Sequence, residues 1–75
     1  MTLEELIGAV LDVPAATLDN AVRQSDVPNW SSLAHINLVT ALEETYGVSF
    51  TTDEIQTLTS VGAARQLLRG KGAAV

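Results

Sequence analysis

The chain has 75 residues, of which nine are acidic and four are basic, so its formal net charge is −5. A chain of this length forms one small domain that buries roughly 60% of its unfolded surface, which leaves little space for a deep cofactor pocket. The acidic balance argues against nucleic-acid binding. It is consistent either with partners that present basic patches or with solubility alone.

The composition also narrows the kinds of site that the chain can hold. There is no cysteine, and a single histidine is too few to predict a transition-metal centre. The apolar runs are too short to cross a bilayer, and residues 1–5 lack the pattern of a secretory signal. We therefore expect a cytoplasmic protein that binds neither membrane nor metal, and we expect a monomer.

A first amphipathic helix is predicted over residues 3–12. Thr2 and Glu5 have the spacing of a capping box, and apolar residues then recur every three or four positions. Residues 13–31 show no helical period, so we expect a long loop with a short turn near residues 15–18. Three apolar residues are expected to fasten this loop to the core: Leu18, Val22 and Val27.

Capping and glycine signals predict three more helices. The second begins at Ser31 or Ser32 and ends before Gly47, which favours a left-handed backbone at a helix end. A short third helix is expected over residues 52–58, and a fourth over residues 61–69.

Together these elements predict an all-α fold, a small four-helix bundle with a long first loop and a short third helix. The domain should span residues 1–70, and residues 71–75 should form a disordered tail. One side of the second helix is expected to pack in the core through four residues: Leu38, Val39, Leu42 and Tyr46.

The second helix also carries apolar residues on its opposite side. Leu33, Ile36 and Thr40 lie there, with Asn37 between them, at about 100° per residue. A surface helix normally keeps that side polar. Either the long loop covers Leu33 and Ile36, or the two side chains belong to an exposed docking surface.

Two serines stand at the start of the second helix. A helix cap needs only one of them, and the helix N-terminus would stabilise a phosphate ester on the other. His35 lies three positions after Ser32, close enough on a helix to form the Ser–His pair of a serine hydrolase. However, no acidic group is placed to orient the imidazole ring. We expect instead a half-buried structural histidine that bonds the loop near Trp30 or Asp26. Trp30 should anchor the end of the loop to the bundle. Alternatively, its ring could form a wall beside a group attached to the serine.

The run from Val27 to Ile36, Val-Pro-Asn-Trp-Ser-Ser-Leu-Ala-His-Ile, resembles acyl carrier proteins and their peptidyl relatives. The similarity continues through Ala-Leu-Glu-Glu-Thr-Tyr-Gly-Val at 41–48 and covers about residues 3–69. In that family an Asp-Ser-Leu motif opens the second helix, and its serine is esterified with 4′-phosphopantetheine. Ser31 replaces the aspartate here, and Ser32 matches the serine.

The resemblance implies a non-catalytic carrier that holds an acyl or aminoacyl unit as a thioester. Coenzyme A would supply the 4′-phosphopantetheine, and Ser32 would be its attachment point. The implied partners are a phosphopantetheinyl transferase, an enzyme that loads the acyl or aminoacyl unit, and synthases or transferases of polyketide, nonribosomal peptide or fatty-acid biosynthesis. The residues expected to contact them are Leu33, Ile36, Asn37, Thr40, Glu43, Asp53 and Glu54.

Two other functions compete with the carrier. An adaptor of the same fold could lack the modification. The presence of Ser31 in place of the family's aspartate would then be a sign of sequence drift. A small hydrolase would use Ser32 and His35. The acidic pairs Glu43–Glu44 and Asp53–Glu54 are either solvated surface or a docking site for basic partners.

Overall fold

The computed structural model describes all 75 residues and is entirely helical, which confirms the predicted all-α fold. The four helices are α1 (Leu3–Leu11), α2 (Ser32–Tyr46), α3 (Thr52–Thr57) and α4 (Val61–Gly70). A long first loop joins α1 to α2, and α3 is short, both as predicted. None of the four helices has the length and apolarity that a membrane crossing requires.

Local capping chemistry sets the start and the end of α1. The Thr2 hydroxyl accepts the Glu5 N–H, and the Glu5 carboxylate accepts the Thr2 N–H, so the predicted capping box is present. The helix ends at Leu11, one residue before the predicted end. Asp12 has a left-handed backbone with φ of 57°, and its N–H donates to the Gly8 carbonyl.

The first loop contains one predicted turn and one that the sequence did not reveal. The turn near residues 15–18 is confirmed as a 3-10 helix at Ala15–Thr17. A second 3-10 helix covers Gln24–Asp26. The Gln24 N–H donates to the Thr59 carbonyl at 2.8 Å, a partner so distant along the chain that local patterns cannot predict it.

A single apolar core joins α1, α2, α4 and the first loop. Leu38, Val39 and Leu42 of α2 are buried there as predicted, and Tyr46 is half-buried. Of the three expected loop anchors, Leu18 is buried, and Val22 and Val27 are partly buried against the core. Nine further residues complete the buried cluster: Leu3, Ile7, Leu11, Trp30, Phe50, Leu58, Val61, Ala64 and Leu68.

The five residues after α4 make contacts with the bundle. Lys71 Nζ lies 2.8 Å from Glu54 Oε1, and it lies 5.3 Å from the centre of the Phe50 ring. Ala73 and Val75 pack against the core. The disorder expected for residues 71–75 stays a prediction.

The first loop is bonded directly to the start of α4. The Val61 N–H donates to the Val22 carbonyl and the Gly62 N–H donates to the Asn20 carbonyl, both at 3.0 Å. A β-carbon at Gly62 would lie 2.8 Å from the Asn20 carbonyl oxygen, which is closer than atoms can pack. Glycine is therefore required where the loop backbone crosses the helix.

We expect Gly62→Ala to lower the free energy of unfolding by about 1–3 kcal/mol, because the new methyl group collides with the Asn20 backbone. Gly70→Ala is the matched control at the other end of α4. A β-carbon at Gly70 meets nothing within 4 Å, so this change should be neutral or slightly stabilising. Urea unfolding followed by circular dichroism measures both, and equal effects would contradict the steric explanation.

Candidate functional site

The two serines at the start of α2 have different environments. Ser31 is the N-cap, with an extended backbone and a hydroxyl that accepts the Ala34 N–H at 3.2 Å. Ser32 is the first helical residue, and its exposed side chain makes no hydrogen bond within the protein. The ambiguity in the sequence is therefore resolved: Ser31 caps the helix, and the Ser32 hydroxyl is free.

The backbone around Ser32 is suited to an anionic substituent. The N–H groups of Ser32 and Leu33 have no acceptor within the chain, because the first helical donor is His35, which bonds to the Ser31 carbonyl. These free donors lie at the positive end of a 15-residue helix. A phosphate ester on Ser32 would gain roughly 0.3–1 kcal/mol from this end of the helix.

A chain of two hydrogen bonds joins the loop end, α2 and α3. The indole Nε1–H of Trp30 donates to His35 Nδ1 at 2.9 Å. Because Nδ1 is an acceptor, the ring proton resides on Nε2, which donates to the Ile55 carbonyl at 2.9 Å. We call this connection the Trp30–His35–Ile55 bridge.

The bridge distinguishes the alternative roles of Trp30, as anchor or wall, and of His35, as structural or catalytic residue. Trp30 is only 3% exposed, so it anchors the loop end rather than lining an open site. Both ring nitrogens of His35 have partners other than Ser32, so neither is available to take a proton from the Ser32 hydroxyl. The arrangement is that of a structural histidine, as expected, and it argues against the hydrolase.

Two further side chains fasten the loop end, and sequence reasoning missed both. Asn29 Nδ2 donates to the Leu11 carbonyl at 3.1 Å, and Gln24 Nε2 donates to the Trp30 carbonyl at 3.2 Å. The Asn29 bond joins the loop end to the end of α1. The only signal in the sequence was the presence of amide side chains in a segment without helical period, which does not identify their acceptors.

The outer side of α2 is exposed. The exposed fractions of Leu33 and Ile36 are 71% and 56%, which shows that the alternative in which the loop covers them is wrong. The loop end packs instead on the His35 side of the helix. Asn37 and Thr40 are exposed beside them, and the Thr40 hydroxyl donates to the Ile36 carbonyl at 3.1 Å.

The predicted acidic residues have mostly intramolecular partners. The Glu43 carboxylate accepts the Phe50 N–H at 2.8 Å. Glu54 belongs to the capping box of α3 and pairs with Lys71, whereas Asp53 is exposed and makes no hydrogen bond through its side chain. No three metal-ligating side chains converge anywhere in the chain.

The hydrogen bond from Lys71, with a further one from the Thr51 backbone, lowers the pKa of Glu54 from its ordinary value of 4.5. A carboxylate whose pKa is lowered by folding stabilises the protein above its unfolded pKa, and this contribution is lost as the pH falls through the folded value. Glu54→Gln should therefore reduce the loss of thermal stability below about pH 4.5. The control is Asp53→Asn, which removes a neighbouring carboxylate without a bonded partner; an identical response of both variants would contradict the assignment.

We expect His35→Ala to lower the free energy of unfolding by about 1–3 kcal/mol, because the buried Trp30 N–H loses its acceptor. Asn37→Ala, on the exposed side of the same helix, should stay within about 0.5 kcal/mol of the parent protein. Urea unfolding monitored by circular dichroism compares the two. Nitrogen-15 NMR of the parent protein should show the His35 proton on Nε2, and a proton on Nδ1 would rule out the bridge.

The fold is similar to that of a solved protein. The solution NMR structure of holo acyl carrier protein from Geobacter metallireducens matches the chain with a TM-score of 0.83 and 32% sequence identity. The match covers 92% of this chain and 79% of that one. No protein-family model and no curated protein sequence matches the chain.

Proposed function

This chain belongs to the acyl carrier protein family, and on that premise we propose that Ser32 is the attachment point of 4′-phosphopantetheine. The observation that carries the proposal is the free, exposed Ser32 hydroxyl at the start of α2. Ser31 supports it by capping the helix through its own hydroxyl, which leaves Ser32 without a structural role.

The residues around Ser32 fit the group that would be attached there. The unpaired N–H groups of Ser32 and Leu33 and the helix N-terminus favour the negative charge of a phosphodiester. The Trp30–His35–Ile55 bridge holds the backbone before Ser32 against the core. When bound, 4′-phosphopantetheine supplies a terminal thiol that can hold the cargo as a thioester.

In this proposal the chain is a carrier without catalytic activity of its own. Its hydroxyl is the acceptor when a phosphopantetheinyl transferase acts on coenzyme A: the Ser32 oxygen bonds to phosphorus, its proton is lost, and the adenosine bisphosphate part of coenzyme A departs. Loading enzymes and synthases or transferases of polyketide, nonribosomal peptide or fatty-acid type would then act on an acyl or aminoacyl cargo.

The proposed partner contacts begin beside Ser32. Leu33 and Ile36 offer exposed apolar area, and Asn37 and Thr40 offer uncharged polar groups next to it. Among the acids predicted as contacts, Asp53 is free to pair with a basic side chain of a partner. The other two, Glu43 and Glu54, would have to share their carboxylates with donors of this chain.

Incubation with coenzyme A and a broad-specificity phosphopantetheinyl transferase should raise the intact mass by one phosphopantetheine group. Ser32→Ala should abolish the increase, and Ser31→Ala, which removes the adjacent hydroxyl, should retain it. A modification that persists in Ser32→Ala would contradict the assignment. If several transferases leave the parent protein unchanged, the unmodified adaptor is the better description.

The two serines should also differ in their effect on stability. Ser31→Ala removes the cap and should lower the free energy of unfolding by about 1 kcal/mol, whereas Ser31→Asp should preserve it because aspartate caps about as well. Ser32→Ala should change it by less than about 0.5 kcal/mol. Thermal unfolding of the three variants measures these differences, and a larger loss in Ser32→Ala than in Ser31→Ala would be inconsistent with the structure.

A further inference from the structure

The third helix, α3, depends on contacts that other elements make to it. It has six residues, and a helix shorter than about 12 residues is marginal in water on its own. None of its residues is fully buried, although Ile55 packs partly against the core. Buried Phe50 lies before α3 and buried Leu58 follows it. Between these two anchors, side chains from α2 and from the end of α4 are bonded to α3.

The contact from the end of α4 is made by Lys71. Its backbone N–H donates to the carbonyls of Leu67 and Leu68, which fixes the residue to the last turn of α4. Its ammonium group donates to Glu54 Oε1 at 2.8 Å, and the same oxygen accepts the Thr51 N–H at 2.9 Å. Lys71 therefore supports the carboxylate that closes the capping box of α3. The side chains of Lys71 and Glu54 are only 23% and 27% exposed, so salt screens this pair less than a fully exposed one.

No other cation of the chain is bonded to α3. Arg65 pairs with a carboxylate of α1, and Arg23 faces a carboxylate within the first loop. Arg69 donates through Nε to the Val75 carbonyl at 2.7 Å. Removal of the Lys71 ammonium group would therefore leave α3 without any ion pair.

The contact with Lys71 and the Trp30–His35–Ile55 bridge act on the same turn of α3, because Glu54 and Ile55 are consecutive residues. If this turn opens, His35 Nε2 loses its acceptor. The bridge is then reduced to one hydrogen bond, at the loop end that directly precedes the cap of α2. The end of α4 and the start of α2 are thus connected through one turn of α3.

From this arrangement we infer that Lys71, α3 and the loop end before Ser32 open and close as one cooperative unit, in which Lys71 is a positioning residue for Ser32. Proteins open locally in contiguous units of this kind. Lys71 acts through α3: it keeps the Glu54 turn ordered, this turn presents the Ile55 carbonyl, and the bridge holds the backbone that leads into α2. The inference rests on the proposed function only in taking Ser32 as the group that is positioned.

Solvent exchange measured by NMR tests the unit at three sites. The Leu58 amide, which donates to the Glu54 carbonyl, reports on α3. The Trp30 indole N–H reports on the bridge. The Ala34 N–H, which donates to the Ser31 hydroxyl, reports on the cap of α2. If the unit is cooperative, a change at Lys71 should alter exchange at all three sites.

Lys71→Met keeps an apolar side chain of similar length beside the Phe50 ring and removes the ammonium group. It should accelerate exchange about threefold or more at the three sites, because α3 loses its ion pair. Lys71→Arg restores the charge and should return the rates to within about twofold of those of the parent protein. Arg69→Met is the matched control. It removes a positive charge from the same end of α4, but its side chain is bonded to Val75 rather than to α3, so the rates should not change.

A double-mutant cycle separates the proposed connection from a general loss of stability. In a His35→Ala background, α3 is no longer joined to the loop end through the imidazole ring. Lys71→Met should then still accelerate exchange at Leu58, but it should no longer alter exchange at Ala34.

Acceleration confined to Leu58 would overturn the inference, because Lys71 would then support α3 alone. Equal effects of Lys71→Met and Arg69→Met would also overturn it, and so would an effect at Ala34 that persists in the absence of His35. All three results leave the proposed function standing. The exchange rates do not depend on modification of the serine. If no transferase modifies the protein, the proposed function fails, and the same rates still decide whether the unit is cooperative.

Discussion

The Trp30–His35–Ile55 bridge is the contact on which the geometry at the start of α2 depends. A buried indole donates to a ring nitrogen of α2, and the same ring donates to the backbone of α3. Three elements are therefore fixed relative to one another by one imidazole in one tautomer. A buried polar group without a partner costs about 1–3 kcal/mol. Breaking either hydrogen bond is therefore unfavourable, and the two bonds together resist rearrangement of the loop end, α2 and α3.

The bridge also explains how two adjacent serines come to differ. With Trp30 held in the core, the residue after it has an extended backbone and turns its hydroxyl back onto the Ala34 N–H. Ser32 then starts the helix and is turned about 100° further around its axis. A shift of the helix start by one residue would make Ser32 the cap, and its hydroxyl would then bond to the helix backbone. Fixing the loop end is therefore what leaves the Ser32 hydroxyl free.

Sequence reasoning predicted the elements whose causes are local. Capping boxes, a left-handed Gly47 and apolar periodicity involve neighbours a few positions apart, and those helices are found within one or two residues of their predicted bounds. The unpredicted contacts join distant residues: Gln24 with Thr59, and Asn29 with Leu11. The capping pattern alone did not say which of Ser31 and Ser32 caps the helix; only the family resemblance assigned the attachment role to Ser32.

The net charge of −5 is a property of the whole chain, whereas the residues next to Ser32 along the sequence are uncharged. Summed charge governs solubility and encounter at long range, whereas recognition at contact depends on the groups within a few ångströms. Near Ser32 those groups are a serine hydroxyl, exposed Leu33 and Ile36, and an amide. Because Ser31 caps the helix without a carboxylate, the residue next to the attachment point does not repel a phosphodiester. The neutral cap thus leaves the positive end of the helix at Ser32 without an adjacent carboxylate to oppose it.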